Sequence, residues 1–297
     1  MDGGTGTKIE GGCGAFGPIA LAVIVLFAPF DSLAQGPELD TPYVPTPQVV
    51  VDRMLDLAQV RSGDMVIDLG SGDGRIMITA AQKYGARGFG VDIDPRLVKL
   101  SNEEARRAGL ADRVKFLQQD LFRTDIREAD VLTLYLLPDV NLALRPKILA
   151  ELRPGTRVVS HDYGMREWRP DAEETLAAPD KRVGAHKEST VYLWIVPAQV
   201  EGEWRLEIKS GGGLRRMRLD LRQRFQILSG SVNLPRHGGV PLSEGRLRGN
   251  ELRFSLPGGV IASDPVELVG RVAGNSLSGS VRRGEREIGD WSARRRG

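Results

Sequence analysis

The chain has 297 residues, room for one large domain or two smaller ones. Its 41 lysines and arginines nearly balance 39 acids, a net of +2, so overall charge gives no reason to expect a nucleic-acid partner. The balance is uneven: from Glu201 onward 18 basic residues face 11 acidic ones, a net of +7, which leaves −5 before that point.

Residues 1–36 read as a leader and not as part of a fold. Residues 15–30 are apolar and uncharged, but this 16-residue run with Pro18 and Pro29 falls short of the roughly 20 residues that span a bilayer. It suits the apolar region of a secretory signal or a membrane tether, with small residues at Ser32 and Ala34 ahead of Gln35. The expected location is therefore exported or periplasmic, or membrane-associated through residues 15–30, and cytoplasmic if the segment does not act as a signal. Cys13 is the single cysteine and precedes the apolar run, so a chain cleaved after that run has no disulfide or thiolate chemistry.

Residues 37–199 read as one α/β domain. A proline-punctuated entry, Pro42 to Pro47, leads into a helix from about Gln48 to Val60, whose apolar residues recur at helical spacing. Tyr43 and Thr46 in that entry either reach over a ligand or belong to a rigid linker. Strands follow at Met65–Leu69, Gly88–Val91, Val114–Leu117, Val131–Tyr135, Arg157–Ser160 and Val191–Val196. Helices are predicted at Arg75–Tyr84, Pro95–Ala108 and about Asn141–Leu152. Strands apolar on both faces, alternating with helices, predict a doubly wound, mostly parallel sheet.

In such sheets ligands sit at the carboxyl ends of the strands, and three acids fall there: Asp68, Asp92 and Asp120. Asp68 runs into a glycine-rich turn with Gly70, Ser71, Gly72 and Gly74, which lets a ligand approach backbone N–H groups closely. The third glycine comes one residue early for a dinucleotide loop, with Arg75 in its place, and Asp68 repels a pyrophosphate while attracting an amino group. Asp92, about 20 residues beyond the loop, suits ribose hydroxyls, and Asp120 suits an adenine amino group. The joint pattern points to a nucleoside with an amino acid tail. Asp94 before Pro95 reads as a helix cap.

His161 and Asp162 follow the fifth strand, where His161 either deprotonates a substrate amine with Asp162 orienting it or takes part in loop hydrogen bonding. The three histidines, His161, His186 and His237, have no ligand-like spacing, so no metal is expected.

Residues 200–297 change character, with many glycines and short runs of period two. Turn signals at Gly211, Gly249-Asn250 and Gly274-Asn275 predict a small antiparallel β-meander or barrel, with Trp204 and Trp291 in one core.

The runs Asp-Leu-Gly-Ser-Gly-Asp-Gly (68–74), Val-Asp-Ile-Asp-Pro (91–95), Gln-Gln-Asp-Leu-Phe (118–122) and Thr-Leu-Tyr-Leu-Leu-Pro (133–138) resemble class I S-adenosylmethionine-dependent methyltransferases. With Pro42 to Pro47, they resemble more narrowly the ATP synthase c-subunit lysine N-methyltransferases and their bacterial relatives. The resemblance covers about residues 40–198. It implies S-adenosylmethionine as cofactor, with Asp68, Gly70, Ser71, Gly72 and Gly74 at its methionine end, Asp92 and Ile93 at the ribose, and Asp120 with Leu121 at the adenine. It also implies that Tyr135 to Pro138 border the methyl group, with Tyr135 and Pro138 beside the acceptor. The implied acceptor is a protein lysine. A small-molecule methyltransferase and a non-catalytic exported nucleoside-binding or scaffold protein are the alternatives.

Overall fold

The structure is a computed structural model that describes residues 1, 3–4, 43–184, 186–234 and 238–296. The expected leader, with its apolar run 15–30, lies outside the described residues. Among the described residues no helix is long and apolar enough to cross a membrane.

Helix α1 (Gln48–Leu57) starts the first layer, followed by β1 (Met65–Leu69), α2 (Arg75–Tyr84), β2 (Arg87–Asp92), α3 (Pro95–Arg107), β3 (Val114–Gln118), β4 (Val131–Leu134), α4 (Pro138–Glu151) and β5 (Arg157–His161). Strands β6 (Ala172–Ala177) and β7 (Glu188–Ile195) then form a hairpin. The sheet order is β3-β2-β1-β4-β5-β7-β6, parallel from β3 through β5 and antiparallel at β7. Order reverses between β1 and β4, where the chain runs outward in both directions. Right-handed crossovers therefore place α2 and α3 on one face and α4 on the other. Val50, Val51, Met54 and Leu55 of α1 share a buried cluster with Ile76, Met77, Ala80 and Ala81 of α2.

Local chemistry sets the element ends. Asp94 caps α3 by accepting from the Arg96 N–H at 2.8 Å, with Pro95 in the first turn, as its sequence position predicts. Helix α4 begins at Pro138, three residues before the predicted start, because proline is pre-organised for a first helical position. The hairpin strand β6 was not predicted. Its residues alternate between half-buried and exposed and carry Glu173 and Glu174, so it has no apolar signature.

The rest of the chain forms β8 (Gly202–Ser210), β9 (Gly213–Arg224), β10 (Ile227–Leu234), β11 (Gly238–Pro241), β12 (Ser243–Arg248), β13 (Glu251–Leu256), β14 (Val266–Ala273), β15 (Ser276–Arg283) and β16 (Arg286–Arg295). All pairings are antiparallel, and β9 pairs with both β8 and β10. That closes an eight-stranded barrel, with β11 added beside β10. Closure removes exposed sheet edges. Trp204 and Trp291 are both buried in its core, donating to the carbonyls of Val200 (2.8 Å) and Val269 (3.1 Å).

The barrel meets the α/β layer through the β9–β10 turn and through Arg246 of β12. Phe225, between β9 and β10 at φ 55°, stacks on the buried Trp168 with centroids 6.0 Å apart, and the Arg145 guanidinium of α4 lies 5.3 Å over its ring. Gln226 donates to the Arg169 carbonyl at 2.6 Å, and Arg246 pairs with Asp171 at 3.1 Å.

Candidate functional site

The register brings the predicted acids to adjacent positions at one edge. Asp68 pairs with Gly90 of β2 on one side and Thr133 of β4 on the other. Gly90 leaves space for the loop: a Cβ there would come within 2.5 Å of the Ser71 Cβ. The loop folds back over the end of β2. The N–H groups of Gly70 and Ser71 both donate to the Val91 carbonyl at 2.9 Å, and that of Gly72 donates to Asp92 Oδ2 at 2.9 Å. Asp92 Oδ1 accepts from the Asp94 N–H at 2.9 Å. Both oxygens of Asp92 are thus pinned by backbone, and each retains a lone pair for a further donor.

Asp68 is in a different condition. It is 1% exposed; Oδ1 accepts from the Thr133 hydroxyl at 2.6 Å, while Oδ2 is buried without a partner. Burial, and then the charges of Asp92 and Asp73, push its pKa up to about 7 against the lowering effect of Thr133. An unpaired buried carboxylate oxygen is costly unless a cation meets it. The site is therefore built to receive a positively charged group. Thr133 was missed in the sequence, although it is the one polar residue in an otherwise apolar Val131–Leu134 strand.

Gly70, Gly72 and Gly74 all have positive φ, and each is packed from outside. Added Cβ atoms would lie 2.7 Å from Leu136, 2.6 Å from the Tyr43 ring and 2.5 Å from Phe116, respectively. Tyr43 therefore rests on the glycine turn. Arg75 holds its segment there by donating to the Thr46 carbonyl at 2.8 Å and pairing with Asp73. Burial opposes ionisation of Asp73, but the Arg75 contacts outweigh it and lower its pKa.

Asp120 lies beyond β3, with Oδ1 accepting from the Phe122 N–H at 2.8 Å, and Leu121 beside it is half-buried. Gln119 ties this loop to the Asp92 carbonyl at 3.1 Å. Ile93 is 69% exposed, an apolar side chain standing in solvent next to Asp92.

On the β4 side, Leu136 is buried against Gly70, whereas Pro138 is exposed at the start of α4. The Tyr135 ring lies 3.9 Å from the His161 ring, and its plane is within 14° of Tyr163, 6.4 Å away. Burial and the charge of Asp162 raise the Tyr135 pKa to about 12.

The surroundings of His161 are aromatic and hydrogen-bonding. The side chain is wholly buried beneath Tyr135, Nε2 faces the Ser189 hydroxyl at 2.9 Å, and burial lowers its pKa to about 4. Asp162, at φ 60°, has Oδ2 3.3 Å from His161 Nε2 and 2.7 Å from the Lys181 ammonium, while its Oδ1 accepts from the Thr190 N–H at 3.0 Å. His161 is neutral at pH 7 and supports the Tyr135 ring. Asn141 of α4, also missed, donates to the Tyr163 carbonyl at 3.0 Å and the Ser160 hydroxyl at 3.2 Å.

Comparison with known proteins places this site in a family. The profile of the ANTKMT methyltransferase domain matches residues 68–172. A protein-lysine N-methyltransferase of Saccharolobus islandicus is 42% identical over 156 residues, 52% of this chain and 93% of its own length. The human ATP synthase c-subunit lysine N-methyltransferase is 31% identical over 158 residues, 53% of this chain and 66% of its own. A Salinibacter ruber crystal structure described as an RNA methyltransferase in complex with S-adenosyl-L-homocysteine is 53% identical. It covers 53% of this chain and 96% of that one, with a TM-score of 0.48. These matches cover the α/β half of the sequence. The chain belongs to the protein-lysine N-methyltransferase family that carries the ANTKMT methyltransferase domain, and it is an S-adenosylmethionine-dependent methyltransferase.

Proposed function

We propose that the chain methylates the side-chain amine of a lysine in a protein. The observation that carries this reading is the 42% identity to a protein-lysine N-methyltransferase across 93% of that protein's length, over a site where the buried Asp68 Oδ2 has no partner and Leu136 packs against Gly70. The names of the relatives, which act on protein lysines, support the acceptor class.

Asp68 is assigned to the ammonium of the cofactor's methionine end, with Gly70, Ser71, Gly72 and Gly74 forming the close backbone cradle. Asp92 is assigned to the ribose hydroxyls, with Ile93 as an apolar flank, and Asp120 with Leu121 to the adenine. The cofactor supplies an activated methyl on a sulfonium with a good leaving group. What the protein contributes is alignment and water exclusion.

Tyr135 and Leu136 border the entering amine. An apolar setting disfavours the ammonium form of lysine, which lowers its pKa and exposes the lone pair that attacks. His161 packs beneath Tyr135, and no proton transfer is assigned to it, because burial makes its imidazole a weak base. Pro138 sets the start of α4 and so the length of the loop carrying Tyr135.

The test is transfer of labelled methyl from S-adenosylmethionine into fractionated lysates, followed by hydrolysis of labelled protein bands. Labelled methyllysine is the expected product. Label confined to small molecules rejects the protein-lysine acceptor.

A further inference from the structure

The end of β5 carries an ion pair that the cofactor assignments do not use. The Lys181 ammonium, in the β6–β7 loop, lies 2.7 Å from Asp162 Oδ2, and the two side chains are only 13% and 14% exposed. Lys181 is held from both sides: its ammonium donates to the Glu188 carbonyl at 2.6 Å, and its own carbonyl accepts from the Lys187 ammonium at 2.6 Å. Asp162 is fixed in turn by the Thr190 N–H. The Asp162 charge reaches the Tyr135 hydroxyl, which borders the place assigned to the acceptor amine. A sheltered carboxylate there favours the ammonium form of an incoming lysine, and an ammonium has no lone pair to attack a methyl carbon.

The other titratable groups around Asp162 do not offset it. Burial lowers the pKa of His161, 3.3 Å away, to about 4, and raises those of Tyr135 and of Tyr192 on β7, so all three are neutral at pH 7. Glu173, opposite Tyr192 on β6, is an exposed acid. On the cofactor side Asp73 is paired with Arg75, and Asp68 is assigned to the methionine ammonium. Among the described residues Lys181 is thus the one permanent cation paired with Asp162.

We propose that Lys181 is a positioning residue for methyl transfer, which acts through Asp162 by cancelling the carboxylate's hold on the proton of the acceptor lysine. The inference rests on the protein-lysine reading above. The acceptor ammonium loses its proton to water before transfer. Its lone pair then forms the N–C bond as the S–C bond breaks, the electrons of that bond passing to sulfur and the positive charge to the methylated amine.

The experiment measures methyllysine formed by the full chain on fractionated lysate protein, at saturating S-adenosylmethionine, from about pH 6.5 to 10.5. Lys181→Met leaves Asp162 unopposed, so the apparent pKa of the rate should rise by about one unit or more, a loss of about tenfold near neutral pH that narrows as pH rises. Lys181→Arg should keep the wild-type profile. Lys181→Met/Asp162→Asn should return to it, because asparagine tolerates the φ of 60° and still accepts from Thr190. Unchanged affinity for S-adenosyl-L-homocysteine shows that the variants are folded. Coincident profiles for Lys181→Met and wild type, a loss that does not change with pH, or a double variant that stays shifted overturns the proposal and leaves the acceptor reading standing. Absence of methyllysine with wild type removes the acceptor reading and the proposal together.

Discussion

Asp68→Asn separates the two roles that the site gives this residue, because its effects on stability and on binding have opposite signs. Asparagine retains an oxygen to accept from Thr133 and replaces the partnerless Oδ2 with a donor. In the ligand-free protein, burial above all raises the Asp68 pKa from 3.8 to about 7. The folded state therefore keeps a proton that the unfolded chain releases near pH 4. Stability is highest below that pH and falls as pH rises toward 7. It levels off at a loss on the order of 4 kcal/mol, from roughly three pKa units at 1.36 kcal/mol each. Asparagine has no such titration, so the ligand-free variant should gain on wild type as pH rises from 4 to 8. Cofactor binding should move the other way. Removing one member of a buried ion pair costs about 3–5 kcal/mol, a loss of roughly 10²- to 10⁴-fold in affinity. Thermal denaturation of both proteins between pH 4 and 8, with calorimetric titration of S-adenosyl-L-homocysteine at pH 8, measures both effects. Melting profiles that stay parallel across pH, together with equal affinities, would refute the reasoning.

Two further substitutions test neighbouring parts. Asp92→Ala removes the acceptor pinned by the Gly72 and Asp94 N–H groups, so affinity for S-adenosyl-L-homocysteine should fall about tenfold or more; unchanged calorimetry sinks the ribose assignment. Phe225→Ala removes the ring between Trp168 and Arg145, a loss of about 2–3 kcal/mol that should split thermal unfolding into separate barrel and α/β transitions. Phe225→Gly suits the φ of 55° yet lacks the ring, so a single wild-type transition in that variant would show that the ring is not the anchor.

The placement of the acids was largely legible because its signals are local. Strands apolar on both faces fix a parallel sheet, and the residue that ends each strand must lie at the same edge, so Asp68, Asp92 and Asp120 could be placed by counting. What escaped depends on contacts remote in sequence. Thr133 meets Asp68 across 65 positions. The burial of His161 follows from Tyr135 above it and Ser189 across a hairpin whose first strand carries no apolar pattern. Period-two alternation announces a β domain, but closure needs the β9–β10 pairing that completes the ring, and no single hairpin reveals that. Tyr43 left two readings open, and its place against the glycine turn depends on Arg75, 29 positions beyond Thr46.

The same long-range contacts connect the barrel to the side of the site proposed for the acceptor. Phe225 meets Arg145, which also donates to the Met165 carbonyl at 3.0 Å. One helical turn earlier on the same face of α4, Asn141 holds the Tyr163 carbonyl, and Tyr163 faces the Tyr135 ring. The segment from Tyr163 to Asp171 is thus fixed at one end by α4 beside Tyr135 and at the other by the barrel, through Gln226 on the Arg169 carbonyl and Arg246 on Asp171. A segment held at both ends keeps the Tyr163 ring facing Tyr135 in one geometry. On the proposed assignment of Tyr135 to the acceptor and of β1 and β2 to the cofactor, alignment governs methyl transfer, and the barrel bears on catalysis through the position of the acceptor amine.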